Sequence, residues 1–268
     1  MRKEIMQKLF ACISLAPQFS VGFFVPLISK GYIMKKKVAF SERKVLRLIT
    51  GVGIFSALAF CVAYVCKMFI PPVSGFLSIE VKDGIIAIAS FVYGPIAAPI
   101  ISLVVAFMEA IIPPPTGEPT GWYGFVMNFV SSATFSLTVS LIYKMKKNVN
   151  YALVGFLCAI CSTTAMMMLM NAFVTPLYVK QVGFPFDVVH HLPILFLPFN
   201  FAKTLLNSSV AMMLYKPIIN ALRAARLVPR SEYKTKFNKS SIIILSVGTV
   251  LLAVSVAGLI ALYFIFKH

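Results

Sequence analysis

Two ionisable side chains, Glu109 and Lys203, fall within long apolar runs. A charge is expensive at membrane depth, which makes them the first candidates for function. Lys203 follows Asn200 by three residues, a helical spacing that puts both on one face, with Asn207 one turn along the same stripe. Asn171 and Asn128 lie in two other apolar runs. An amide offers two donors and two acceptor sites, and an ammonium three donors. Asn128, Asn171, Asn200, Lys203 and Glu109 together therefore suit a polar pocket for a small solute rich in heteroatoms, open to the outside. The same residues also fit a plainer role, in which the amides join helices and the two charges neutralise each other. A third use of Glu109 and Lys203 is an ion or proton relay in a secondary carrier.

Chemistry beyond binding finds little support. There is no Gly-x-x-x-x-Gly-Lys-Ser/Thr loop for a nucleotide phosphate and no His or Cys spacing for zinc in a loop, so no ATPase, cofactor or metal site is expected. Cys158 and Cys161 match Cys-x-x-Cys but sit in an apolar run without His or carboxylate, and read as small core residues. His190 and His191, beside Asp187, read as solvated loop residues. Met166, Met167, Met168 and Met170 read as core filler, and Trp122 and Tyr123 as a boundary belt. An enzyme acting on lipids would have only Asp83, Asp187, His190 and His191 to work with, so no catalytic residue is assigned.

The elements that must position these residues are membrane helices. Of 268 residues 59% are hydrophobic and 12% charged, against about 25% charged in soluble domains. The net charge of +17 is split by apolar runs of membrane length, which directs the basic residues to a bilayer surface rather than to nucleic acid. Spans are expected at Leu48–Ile70, Gly84–Ile112 broken in two at Gly94-Pro95, Trp122–Tyr143, Tyr151–Asn171, Pro193–Tyr215 and Ser241–Phe266. The predicted fold is an all-α integral membrane protein, a bundle of six transmembrane helices plus an extra C-terminal one. Sixteen Lys and Arg fall in loops on one side and four on the other, where Lys67, Glu80, Lys82 and Asp83 are also expected as loop residues. The basic side is cytoplasmic. The divisions are 1–47, a basic and membrane-associated extension; 48–226, the six-helix domain; 227–240, a basic linker; and 241–268, the additional helix. Leu9–Ile28 is apolar but contains Pro17 and Pro26 and lacks a signal-peptide cleavage site, and Met34-Lys-Lys-Lys reads like a cytoplasmic start.

The first span carries Ala59-x-x-x-Ala63 and Gly53-x-x-x-Ala57, small residues one turn apart that admit a partner helix. Further along stand Ile79-Glu-Val-Lys-Asp83 with Tyr93-Gly-Pro95, Asn128-Phe, Leu169-Met-Asn171 with Thr175-Pro-Leu-Tyr178, and Leu197-Pro-Phe-Asn200-Phe-Ala-Lys203. From about Arg43 to Ala225 the chain resembles the substrate-binding S components of energy-coupling factor (ECF) transporters, most closely their riboflavin-specific branch. The resemblance implies a six-helix bundle in a bacterial cell membrane that captures a vitamin, riboflavin first, from outside. It implies as partners a membrane scaffold, the T component, and two cytoplasmic ATPase subunits. By the match Asn171, Asn200 and Lys203 correspond to flavin-contacting positions, and Ala59 and Ala63 to the motif that contacts the scaffold. The chain departs from the pattern in Glu109, which stands where riboflavin-type members resemble one another in a Lys, and in its extra helix and N-terminal extension.

Overall fold

The structure, a computed structural model, describes residues 21–74, 77–113, 121–146, 149–182, 191–224 and 239–266. The chain divides into two units, Met1–Arg47 and Leu48–His268. The second unit holds the helices α1 (Val21–Phe69, from Leu48 onward), α2 (Lys82–Tyr93), α3 (Ala97–Ile111), α4 (Gly121–Met145), α5 (Val149–Val182), α6 (Leu197–Ala224) and α7 (Lys239–Ile265). A π-helical turn, Leu192–Phe196, leads into α6. Among the described residues the only extended pairing is an isolated bridge between Val73 and Leu77.

The break at Gly94-Pro95 separates α2 from α3 because Gly94 has φ +96°, a region that favours glycine, while its N–H caps the Ser90 carbonyl at 2.9 Å. Among the described residues, four helical stretches are long and apolar enough to cross a membrane: Val45–Phe69, Gly121–Met145, Asn150–Leu177 and Ile244–Ile265. The 12 residues of α2 and 15 of α3 rise only about 18 and 22 Å, less than a hydrocarbon core of about 30 Å. The 28 residues of α6 are long enough but include Asn200, Thr204, Asn207, Ser208 and Ser209, all buried.

Polarity is distributed as a lipid-facing bundle requires. Phe107, Leu157, Phe173, Val250 and Phe264 are exposed, while Ser132, Ser136 and Ser140 of α4 point inward. The centre is α2, buried from Lys82 to Ser90, whose isoleucines pack with Phe55, Ile101, Phe135 and Phe156. A second cluster joins Leu259 and Leu262 of α7 to Phe199, Ala202 and Leu206 of α6 and to Val73 and Ile79 of the segment before α2.

Two expectations are corrected. Cys158 and Cys161 are exposed rather than in the core, since they share the outward stripe of α5 with Val154 and Leu157. Ala59 and Ala63, expected on an open helix face, have no accessible surface, because they continue the inward stripe of Phe55. The opposite stripe of α1, Gly53, Ala57 and Cys61, is exposed, and a Cβ built on Gly53 meets no atom within 4 Å.

The tightest approach at the centre is at Gly84, whose N–H donates to Asn207 Oδ1 at 2.9 Å and whose added Cβ would lie 2.7 Å from the Asn207 carbonyl. Gly84→Ala should therefore force α2 off α6 and cost about 1–3 kcal/mol, read as a lower unfolding midpoint in detergent. An unchanged midpoint would show that the two helices have room to separate.

Candidate functional site

Where α1 and α5 end and α2, α4 and α6 begin, a cavity of about 160 Å³ opens. A water occupies roughly 10–15 Å³ by this kind of measure, so the space suits a small organic molecule rather than an ion. Asn128, Asn171, Asn200 and Lys203 all line it, joined by Lys67, Glu80, Tyr123 and Met167. Sequence reasoning assigns none of these last four to a site.

The polar wall is a chain of charges, all buried except the half-buried Lys203. Lys67 donates to Glu109 Oε1 at 2.8 Å and lies 3.6 Å from Glu80 Oε2. Lys82 donates to Glu80 Oε1 at 2.9 Å and also bonds Glu109. Lys203 donates to the same Glu80 oxygen at 3.0 Å. Asp83 accepts from Ser132. Burial by itself would raise the Glu80 carboxyl, but the ammonium groups of Lys203, Lys82 and Lys67 outweigh it and hold Glu80, in the segment between α1 and α2, well below the usual carboxylate range.

Lys67, Glu80, Lys82 and Asp83, expected as solvated loop residues, are thus buried. The physical reason is that each has an opposite charge or a hydroxyl at hand, the condition under which ions enter an interior. Glu109 is also corrected. It does not line the cavity but lies behind the wall, held by Lys67 and Lys82, and its link to Lys203 runs through Lys82 and Glu80. An ion relay with both charges facing one cavity loses its premise.

The amides divide by role. Asn207 fastens elements: besides accepting from Gly84, it donates to the carbonyls of Glu80 and Lys203, each at 3.0 Å. Asn200 donates to the Phe196 carbonyl at 2.8 Å, which fixes the amide while leaving its oxygen without a donor among the described residues. Asn171 donates to the Met167 carbonyl at 2.8 Å and accepts from Thr175 at 2.9 Å, so half its bonding capacity is kept. Trp122 is 78% exposed and away from the wall, whereas Tyr123 faces the cavity. Asp187 and His190 lie outside the described residues. The arrangement offers hydrogen bonds and an aromatic side chain at fixed places, which is binding rather than bond-making equipment.

Comparison with known proteins shows the family. The family described as "ECF transporter, substrate-specific component" matches residues 47–219, so α7 lies outside the match. The chain is 30% identical over 194 residues to the "Riboflavin transporter RibU" of Staphylococcus aureus (strain TCH60), covering 70% of this chain and 97% of that protein. It is 26% identical to the protein of the same description from Streptococcus thermophilus (strain ATCC BAA-250 / LMG 18311), covering 66% and 84%. A solved structure described as the S component of a bacterial ECF transporter superposes with TM-score 0.51 at 28% identity, covering 66% of this chain and 97% of that one.

The wall's charges should be energetically coupled. Lys82→Met leaves Glu80 and Glu109 short of a cation and should cost about 3–5 kcal/mol in unfolding free energy. Adding Glu109→Gln should recover part of that loss. Penalties that simply add in the double variant would show that the two side chains do not act as a pair.

Proposed function

Because the chain belongs to the family of ECF transporter substrate-specific components, we propose that it binds riboflavin in this cavity and delivers it to an uptake complex powered by partner ATPases. The observation that carries the reading is the wall itself, where Asn128, Asn171, Asn200 and Lys203 converge on one cavity beside Tyr123. A flavin has a pyrimidine edge of alternating donors and acceptors, a flat ring for an aromatic neighbour and a hydroxylated chain, and this wall offers a counterpart to each. The two relatives named as riboflavin transporters support the choice of vitamin.

In this reading residues 48–226 form a six-helix unit with both ends cytoplasmic, 227–240 a basic cytoplasmic linker, and 241–268 a seventh spanning helix; 1–47 precede the unit. The short α2 and α3 cross as a pair joined at Gly94-Pro95. Lys144 and Lys146 mark the cytoplasmic end of α4, and Trp122 and the cavity its outer end. The protein resides in a bacterial cell membrane. A scaffold T component and two ATPase subunits supply the energy, and the exposed small-residue stripe of Gly53 and Ala57 is the face of α1 that admits the scaffold.

Protein purified in detergent should quench riboflavin fluorescence on titration, and Lys203→Ala should weaken binding by about 1.5–3 kcal/mol. Unchanged affinity in that variant would remove Lys203 from the site, and no quenching by folded wild type would point to a different vitamin. Ala57→Leu should leave flavin binding intact while reducing co-purification with the scaffold and uptake into cells. Normal assembly in the variant would place the scaffold on another face.

A further inference from the structure

We propose that Glu109, which does not touch the cavity, sets its charge preference, so that the site takes a neutral flavin and disfavours one carrying a phosphate. The inference rests on the riboflavin reading and deepens it. Lys67 and Lys203 face the cavity, with Lys82 behind them. Each ammonium is engaged by a carboxylate: Lys67 by Glu109 at 2.8 Å, Lys203 by Glu80 at 3.0 Å, and Lys82 by both. With Asp83 included, three cations stand against three anions, and the region is electrically balanced.

Without Glu109 the same wall would hold three ammonium groups against Glu80 and Asp83. That excess cation, next to a cavity lined with amides, is what recognises a phosphate monoester, which carries about −1.5 to −2 charges and binds through strong charge-assisted hydrogen bonds. Glu109 removes the excess and holds the Lys67 ammonium away from such a ligand. At 4% exposure and outside the lining, Glu109 acts on the ligand through Lys67 and through its own field, not by contact. It is a positioning and selectivity residue.

The test is a pair of dissociation constants, for riboflavin and for riboflavin 5′-phosphate, measured on the full chain in detergent at fixed ionic strength. Wild type should prefer riboflavin by at least about tenfold, since a unit charge in a partly buried site is worth that much or more. Glu109→Gln should shrink the preference by about tenfold through tighter binding of the phosphate ester, with riboflavin little changed. Lys67→Gln should move it the other way, and this opposite sign carries the test if Glu109→Gln does not fold. Equal affinities in wild type, or an unchanged ratio in either folded variant, overturn the assignment while leaving riboflavin binding in place. Failure of wild type to bind either flavin overturns the riboflavin reading and this inference with it.

Discussion

The Glu80 carboxylate, 1% exposed, is the constraint on which the site depends. One of its oxygens accepts from Lys82 at the start of α2 and from Lys203 of α6, and its backbone carbonyl accepts from Asn207 one turn along α6. Asn207 in turn receives the Gly84 N–H. Side chain and backbone thus fasten one short segment, 80–84, to one helix face. An isolated carboxylate here would face a desolvation cost that it avoids by neutralising itself, so the ammonium partners are a condition of the fold as well as of the site. Because the polar start of α2 is satisfied, the rest of that helix is free to be the apolar centre of the bundle.

That arrangement explains why α6 departs from the composition of an ordinary spanning helix. Its inward face is spent on Asn200, Thr204, Asn207 and Ser208, all buried and hydrogen-bonded within the protein. Its other side is covered by α7, where a Cβ on Gly248 would come within 3.2 Å of Met213 and Leu259 packs among the residues around Phe199. The helix outside the family match therefore braces Val73 and Ile79 before α2, and Leu195, Phe199, Ala202 and Leu206 around the start of α6, beside the cavity wall.

Much of this was legible in the sequence because membrane helices announce themselves by length and apolarity, and because polar residues inside them are few. The break at Gly94-Pro95, the long apolar spans and the convergence of Asn128, Asn171, Asn200 and Lys203 follow from those two signals. Lys67, Glu80, Lys82 and Asp83 did not stand out, since at the ends of apolar runs they look like ordinary loop charges. Only their mutual distances reveal that they are buried. The alternation Glu80-Val-Lys82-Asp83 directly before an apolar run is the one trace they leave in the sequence. Helical phase was the other gap: two small-residue stripes, Ala59 with Ala63 and Gly53 with Ala57, look alike in sequence. The packing of Phe55 decides which of them faces inward.

The same phase gives α1 two duties. On its inward side, near its end, Lys67 bridges Glu109 of α3 and approaches Glu80 of the segment before α2; on its outward side Gly53 and Ala57 are bare. The two carboxylates belong to other elements, so any tilt or slide of α1 alters both Lys67 distances at once. In this bundle, one helix, α1, carries both an exposed small-residue face and a charged residue of the cavity wall.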